Sequence, residues 1–388
     1  MRTMTDVREP LFRSADLEAV LQPVEAAYNL PAGLYLEPEV FALERETIFS
    51  NGWNCVDRVE DFKQAGTFHS TRVAGHPVLT VRGEDSEIRA FHNVCRHRGT
   101  CLAQEDSGVV RSFRCNYHAW TYGIDGQLLA APFMEEREDF DRAEHGLVPI
   151  RLDTWGGFVF VNLDNDAAAL ADAMSGFPDL ERYGLESLRR AHSITYDVAA
   201  NWKVICENYS ECYHCALVHP QLNRLTDFRS GGPSFVGSSF NGGPMELREG
   251  FTTLSISGER RFPEIEGINN EDRRTIHYLH FYPSFLIGLA PDYVVVHRIE
   301  PLDAANSRVR CEWFYPATTV ALPEFDASDA VEFWDMTNLQ DWGLCEMVQI
   351  GAAARLAPGP YHPMEFCVHA FDRWFVEQLG ERLAALRR

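Results

Sequence analysis

The sequence predicts an α+β protein, and three features of its texture carry that reading. First, from about Trp53 to Leu163 short β-branched and aromatic runs alternate with glycine turns: Pro77–Val81, Val109–Phe113, Trp120–Ile124 and Gly157–Val161. Asp125–Gly126, between Tyr122–Ile124 and Gln127–Leu129, marks a hairpin, because such pairs accept the positive φ of a tight turn. Second, segments poor in breakers read as helices: 166–190, 201–218, 327–354 and the stretch from Phe366 onward. Third, Ser193–Val198, Ile276–Leu289, Tyr293–Glu300 and Arg308–Tyr315 read as strands outside the first β-rich region, with a turn around Pro291–Asp292. The expected division is a helical N-terminal segment, 1–50, broken at Pro31–Gly33 and packing on the last domain; a small all-β domain, 51–165; and a larger domain, 166–388. The helix 201–218 should stop before Pro220, since the residue preceding proline disfavours αR. The Gly- and Ser-rich stretch 229–262 reads as a long loop of the lid or substrate-binding kind.

Composition narrows the function. Net charge is −22, which argues against nucleic-acid binding and against docking on anionic lipid. Apolar residues make up 45%, enough for a substantial core. The start, MRTMTDVREPLFR, has no apolar signal region, and no apolar run reaches the roughly 18 residues that span a bilayer. A cytoplasmic, reducing setting is therefore expected. The ten cysteines of so long a chain are then better read as metal ligands or buried thiols than as half-cystines.

Two constellations carry chemistry. The first is Cys95-Arg-His97, then seventeen residues, then Cys115-Asn-Tyr-His118. Each half offers one thiolate and one imidazole on a loop of the β domain. Zinc could use two Cys and two His, but the usual zinc finger groups like ligands together. The alternation fits a [2Fe–2S] cluster with two Cys on one iron and two His on the other, an exchange that raises the reduction potential. Cys101 is expected to be a small buried residue, with no disulfide bridging the two loops. The second constellation runs from Asn201 to Pro220, NWKVICENYSECYHCALVHP. His214 and His219, five apart, cannot share one face of a regular helix. If the helix unwinds before Pro220, His219 can swing back toward His214. Two histidines and a carboxylate form the facial triad that holds Fe(II) and leaves positions open for O₂.

On these two motifs the chain resembles the α (catalytic) subunits of the Rieske non-heme iron oxygenases over nearly its whole length. The resemblance makes 51–165 the Rieske domain and 166–388 a catalytic mononuclear-iron domain with an antiparallel sheet flanked by helices. It puts the third iron ligand at Asp341, with Glu346 as the fallback. It gives Glu211, three residues before His214, the role of a bridge from the iron site to a Rieske histidine of a neighbouring subunit; a surface salt-bridge partner is the plainer reading. Many ring-dihydroxylating members have Asp at that position. Asn208 and Tyr209 are candidates for groups supporting the ligands, whereas Glu207 could merely cover the helix. A head-to-tail homotrimer is also implied. So is a separate reductase, with or without a ferredoxin, that draws electrons from NAD(P)H, since no dinucleotide- or flavin-binding signature is evident in the chain.

The string ENYSECYHC looks closest to the branch that oxidises quaternary amines, by hydroxylation or N-demethylation. An aromatic box could hold an ammonium group. Tyr278, Phe281, Tyr282, Phe285, Tyr293 and Trp313 are available, although alternating aromatics on a sheet are mostly core. The runner-up is hydroxylation of an aromatic or alicyclic carboxylic acid, held by Arg224, Arg229 or Arg248. A Rieske electron carrier without catalysis and a zinc-binding regulatory module are the readings from other classes.

Overall fold

The computed structural model describes residues 12–230 and 235–386, which fall into two compact units. One is 49–175 together with 185–187. The other joins 12–48 to 176–184 and 188–386.

The smaller unit is built on an antiparallel sheet in the order Asn54–Arg58, Phe158–Asn162, Pro149–Trp155, Ile88–His92, His76–Arg82, Thr67–Val73, Ser107–Val109. A second, three-stranded sheet is formed by Ser112–Arg114, Thr121–Gly123 and Leu128–Ala130. The expected single strand Val109–Phe113 is thus two strands in two different sheets. The hairpin at Asp125–Gly126 forms, with Gly126 at φ 86°. The core is aromatic: Phe68, Phe91, Phe113, Trp120 and Tyr122 pack with Leu79, Val81 and the thiols of Cys95 and Cys115. Burying such rings accounts for most of the stabilisation available to so small a domain.

The larger unit is organised around seven antiparallel strands: Leu188–Val198, Ser307–Pro316, Val294–Pro301, Phe285–Leu289, Thr275–Phe281, Phe240–Glu246 and Phe235–Val236. The central strand Phe285–Leu289 is buried along its whole length, which is why it reads as a continuous apolar run and not as an alternation. Helices Trp202–Tyr209, Ser328–Ala352 and Phe366–Ala385 pack on strands of this sheet and on one another, and Ser14–Val20, Gly33–Leu36 and Pro38–Glu44 pack on the last two.

Several expectations are corrected. Segment 166–190 is not one helix: it holds only Leu170–Ala173 and two 3-10 turns, and the following strand begins at Leu188. Pro178, Gly176 and Gly184, the two glycines at positive φ, break the Ala/Leu-rich run. The 229–262 stretch is not all loop, since it contributes the two strands Phe235–Val236 and Phe240–Glu246 at the sheet edge. Segment 201–218 splits into helices Trp202–Tyr209 and Cys215–Val218, with residues 210–214 between them in turns. Two expectations about sulfur also fail. Cys101 is exposed. Cys212 and Cys215 form a disulfide across that turn, their Cα atoms 4.9 Å apart and within normal bridging reach.

The start of the Trp202–Tyr209 helix is anchored by a fully buried ion pair. Lys203 Nζ bonds Glu44 and, at 2.9 Å, Asn201 Oδ1, while Trp202 Nε1 donates to the other oxygen of Glu44 at 2.8 Å. Both charged side chains are 0% exposed. Removing one member strands the other charge, so Lys203→Met is expected to destabilise the chain by about 3–5 kcal/mol. Urea unfolding checks this; an unchanged midpoint would refute it.

Candidate functional site

Cys95 and Cys115 sit in two loops of matching geometry. In the first, Cys95 N–H donates to Thr100 and Gly99 N–H to Cys95; in the second, Cys115 N–H donates to Trp120 and Ala119 N–H to Cys115. The fifth residue of each loop adopts the left-handed region, Gly99 at φ 74° and Ala119 at φ 59°. Glycine does this without strain, whereas alanine does not, so the second loop holds a conformation the sequence alone disfavours. The loops turn both thiols into the core and leave His97 and His118 exposed, with ring centroids 4.6 Å apart. His97 stacks on Trp120 at 4.9 Å. Tyr122 Oη lies 3.4 Å from Cys95 Sγ and accepts from Arg96 N–H at 2.9 Å. Burial pushes the Cys115 thiol up, but the N–H groups of Tyr117 and His118 outweigh it and lower its pKa. Two buried thiols beside two adjacent, exposed imidazoles fit the ligand set of a [2Fe–2S] cluster.

The second centre is compact. His214 Nε2 is 3.2 Å from His219 Nε2 and 3.3 Å from Asp341 Oδ1, and His219 Nε2 is 2.9 Å from the same oxygen. Three donors at cis positions around an ion with bonds of about 2.1 Å would be about 3 Å apart, so this triangle fits a facial two-His, one-carboxylate set. The back nitrogens are held as ligand histidines require: His214 Nδ1 by Glu211 Oε1 at 2.5 Å, His219 Nδ1 by Gln340 Oε1 at 2.7 Å. Burial disfavours the charged form of His214, but Asp341 and Glu211 outweigh it and raise its pKa to about 10, a field suited to a cation. Glu211 reaches His214 differently from the sequence reading. It is not on a continuous helix; it lies in the turn after Trp202–Tyr209, where its other oxygen accepts from Tyr213 and His214 N–H. Cys215 Sγ lies within 4.8 Å of nitrogen donors of both histidines but is tied to Cys212.

A cavity of about 290 Å³ opens beside these donors. Tyr209, Tyr278, His297, Trp334 and Trp342 form much of its wall, with Tyr278 6.1 Å from Tyr209 and 6.2 Å from Trp334 between ring centroids. Gly242 also lines it; a Cβ there would meet Tyr278 O at 2.1 Å, so only glycine lets that strand approach the Tyr278 backbone so closely. His297 is buried, and burial lowers its pKa to about 4, leaving the ring neutral.

Comparison with known proteins decides the family. Residues 52–150 match the Rieske [2Fe-2S] domain, and residues 185–381 match the ring hydroxylating alpha subunit (catalytic domain). The chain belongs to the Rieske oxygenase alpha subunits. As such it is an oxidoreductase, the oxygenase component of a system fed by a reductase. Similar relatives include the glycine betaine monooxygenase oxygenase subunit of Pseudomonas aeruginosa, 31% identical over 95% of this chain and 94% of the relative. The carnitine monooxygenase oxygenase subunit of Escherichia coli K12 is 36% identical over 85% of this chain and 86% of its own length. Among solved structures, the quaternary ammonium Rieske monooxygenase CntA with L-carnitine superposes with a TM-score of 0.74 at 26% identity, covering 91% of this chain and 96% of that one.

In this Rieske oxygenase subunit, His214, His219 and Asp341 are brought together, as are His97 and His118 beside Cys95 and Cys115 in their paired loops. Asn208 lines the cavity along with His214, His219 and Asp341. Glu346 is elsewhere, accepting from Ala199 N–H at 3.1 Å. Glu207 does more than cover a helix: it accepts from Tyr35 Oη at 2.8 Å, and burial raises its pKa to about 7. Of the six aromatics considered from the sequence for a box, only Tyr278 lines the cavity; Phe281, Tyr282, Phe285, Tyr293 and Trp313 are core. Gln340, Trp334, Trp342 and His297 were missed. The first three lie within four turns of one helix, and their spacing around Asp341 was the available signal.

Proposed function

We propose that this chain hydroxylates or oxidatively N-demethylates a small quaternary ammonium compound. The observation that carries the reading is the composition of the cavity beside the iron donors. Its described lining carries the rings of Tyr209, Tyr278, Trp334, Trp342 and the neutral His297, with the carboxyl groups of Glu211 and Asp341 beside them and the exposed Arg229 as the guanidinium. A desolvated trimethylammonium group on such rings gains about 0.5–2 kcal/mol per good face, which a carboxylate does not. The names of the betaine and carnitine relatives agree with this. The aromatic-acid reading has a single guanidinium among the described lining residues, the exposed Arg229.

The division of labour among the residues follows. When bound, the cluster supplies single electrons and the ferrous ion supplies O₂ activation. Cys95, His97, Cys115 and His118 would hold the first; His214, His219 and Asp341 the second. Glu211 and Gln340 fix the ring orientations of His214 and His219, and Glu211 holds the proton on His214 Nδ1. The rings exclude water and orient the ammonium methyl groups toward the iron donors. A homotrimer in which Glu211, bonded to His214, also meets the exposed His97 or His118 of a neighbouring copy, and so bridges the two sites, completes the proposal.

A substrate screen with NADH and a generic reductase tests it. O₂ uptake coupled to a product mass, with formaldehyde release reporting demethylation, is expected for a trimethylammonium compound such as glycine betaine, carnitine or choline. Coupled uptake only with aromatic or alicyclic acids would overturn the reading.

A further inference from the structure

Three arginines lie in the 224–248 region, and the structure separates their roles. Arg224 donates to Ile256 O at 2.7 Å and lies over Phe251 at 5.3 Å. Arg248 Nε donates to Asn223 O at 3.0 Å and Thr226 O at 2.9 Å. Both are occupied in holding backbone. Arg229 is different. Among the described residues it is the only Lys or Arg lining the cavity beside His214, His219 and Asp341, and it is exposed. Its guanidinium lies over the ring of Phe228, 5.2 Å from the centroid; among the described residues no ion pair or side-chain hydrogen bond engages it. Phe228 lines the same cavity and gives the guanidinium a flat rest, an arrangement that pre-orders a planar fork without using its N–H groups.

The cavity is therefore polar in the electrical sense. Its inner wall is neutral rings beside Glu211 and Asp341, and its exposed side carries one uncommitted cation. We infer that Arg229 is a specificity-determining residue that binds a substrate carboxylate, so that the preferred substrate is a zwitterion with its ammonium end toward the iron donors and its carboxylate end outward. The inference rests on the quaternary-ammonium reading above and sharpens it: a betaine should be preferred over an amino alcohol carrying the same trimethylammonium group. Guanidinium–carboxylate pairing is bidentate and directional, which gives a fixed orientation as well as affinity. No covalent step is involved.

The test compares glycine betaine with choline, which share the ammonium group and differ at the anionic end. KM and kcat are measured for both on the metal-loaded wild type, Arg229→Ala and Arg229→Lys, with the same reductase. For an exposed charge-assisted contact the ratio of kcat/KM for betaine over choline should fall roughly tenfold in Arg229→Ala, mainly through KM for betaine, and recover in part in Arg229→Lys. Parallel changes for both substrates, or an unchanged ratio, would overturn the role of Arg229 while leaving the ammonium reading intact. A wild type that turns over neither these nor any other quaternary amine would overturn both together.

Discussion

Glu211→Gln is expected to leave both metal centres loaded and to lower turnover by about a hundredfold. The substitution keeps shape and hydrogen-bond reach. The single carboxamide oxygen can still accept from His214 Nδ1–H, whereas the NH₂ that replaces the second oxygen cannot accept from the N–H groups of Tyr213 and His214, so the turn between Ser210 and His214 gives up those bonds to water. What disappears is the negative charge 2.5 Å from His214. That charge stabilises the protonated state of the Nδ1 edge, and its loss weakens the imidazole as a donor and removes the group proposed above to bridge the two sites. The cluster spectrum and iron content should match the wild type, while reoxidation of the reduced cluster in the presence of substrate and O₂ slows. Loss of iron would reassign Glu211 to holding His214 in place. Wild-type turnover would remove it from the mechanism.

Asp341→Ala has the second large effect. Asp341 is the anionic corner of the donor triangle, and burial raises its pKa while the two histidines more than compensate, so it stays ionised. Without it two neutral imidazoles remain, too few to hold a divalent ion against water. Iron content is expected to fall by about one per chain, with the cluster absorbance unchanged and oxygenation abolished. Glu346→Ala, which removes a carboxylate bonded only to Ala199 N–H among the described contacts, should retain that iron. If Asp341→Ala keeps full iron and Glu346→Ala loses it, the ligand assignment is reversed.

The two metal motifs were legible because their chemistry requires particular residue types at short spacing. Cys95/His97 and Cys115/His118 each lie within one loop, so sequence distance and space nearly coincide. His214 and His219 were similarly readable, and Pro220 pointed to the unwinding that lets them meet. Asp341 is more than a hundred residues away, and periodicity could not have chosen it over Glu346. Family resemblance pointed to it; the fold then brought it within 3 Å of His219. The helix expected over 201–218 failed because side-chain capping and the Cys212–Cys215 bridge compete locally with helix propensity, and neither shows in a propensity pattern. The strands 235–236 and 240–246 were hidden by their glycines, which normally mark loops but here allow a close approach to Tyr278. The ring-lined cavity was the least legible part. It draws on helix Trp202–Tyr209, strand Thr275–Phe281, strand Val294–Pro301 and helix Ser328–Ala352, and only tertiary packing gathers them. By contrast, the aromatics most visible in the sequence, on the central strands, went to the core because both faces of the sheet are covered.

The central claim is that one chain carries both an electron-accepting cluster and a separate oxygen-activating iron. Metal and acid-labile sulfide analysis of the purified chain, read together with its visible spectrum, addresses it most directly. The account predicts about three irons and about two sulfides per chain, with the absorbance of a histidine-ligated [2Fe–2S] cluster. About two irons with two sulfides in a chain that takes up no further ferrous ion, or zinc in a colourless protein, would contradict it.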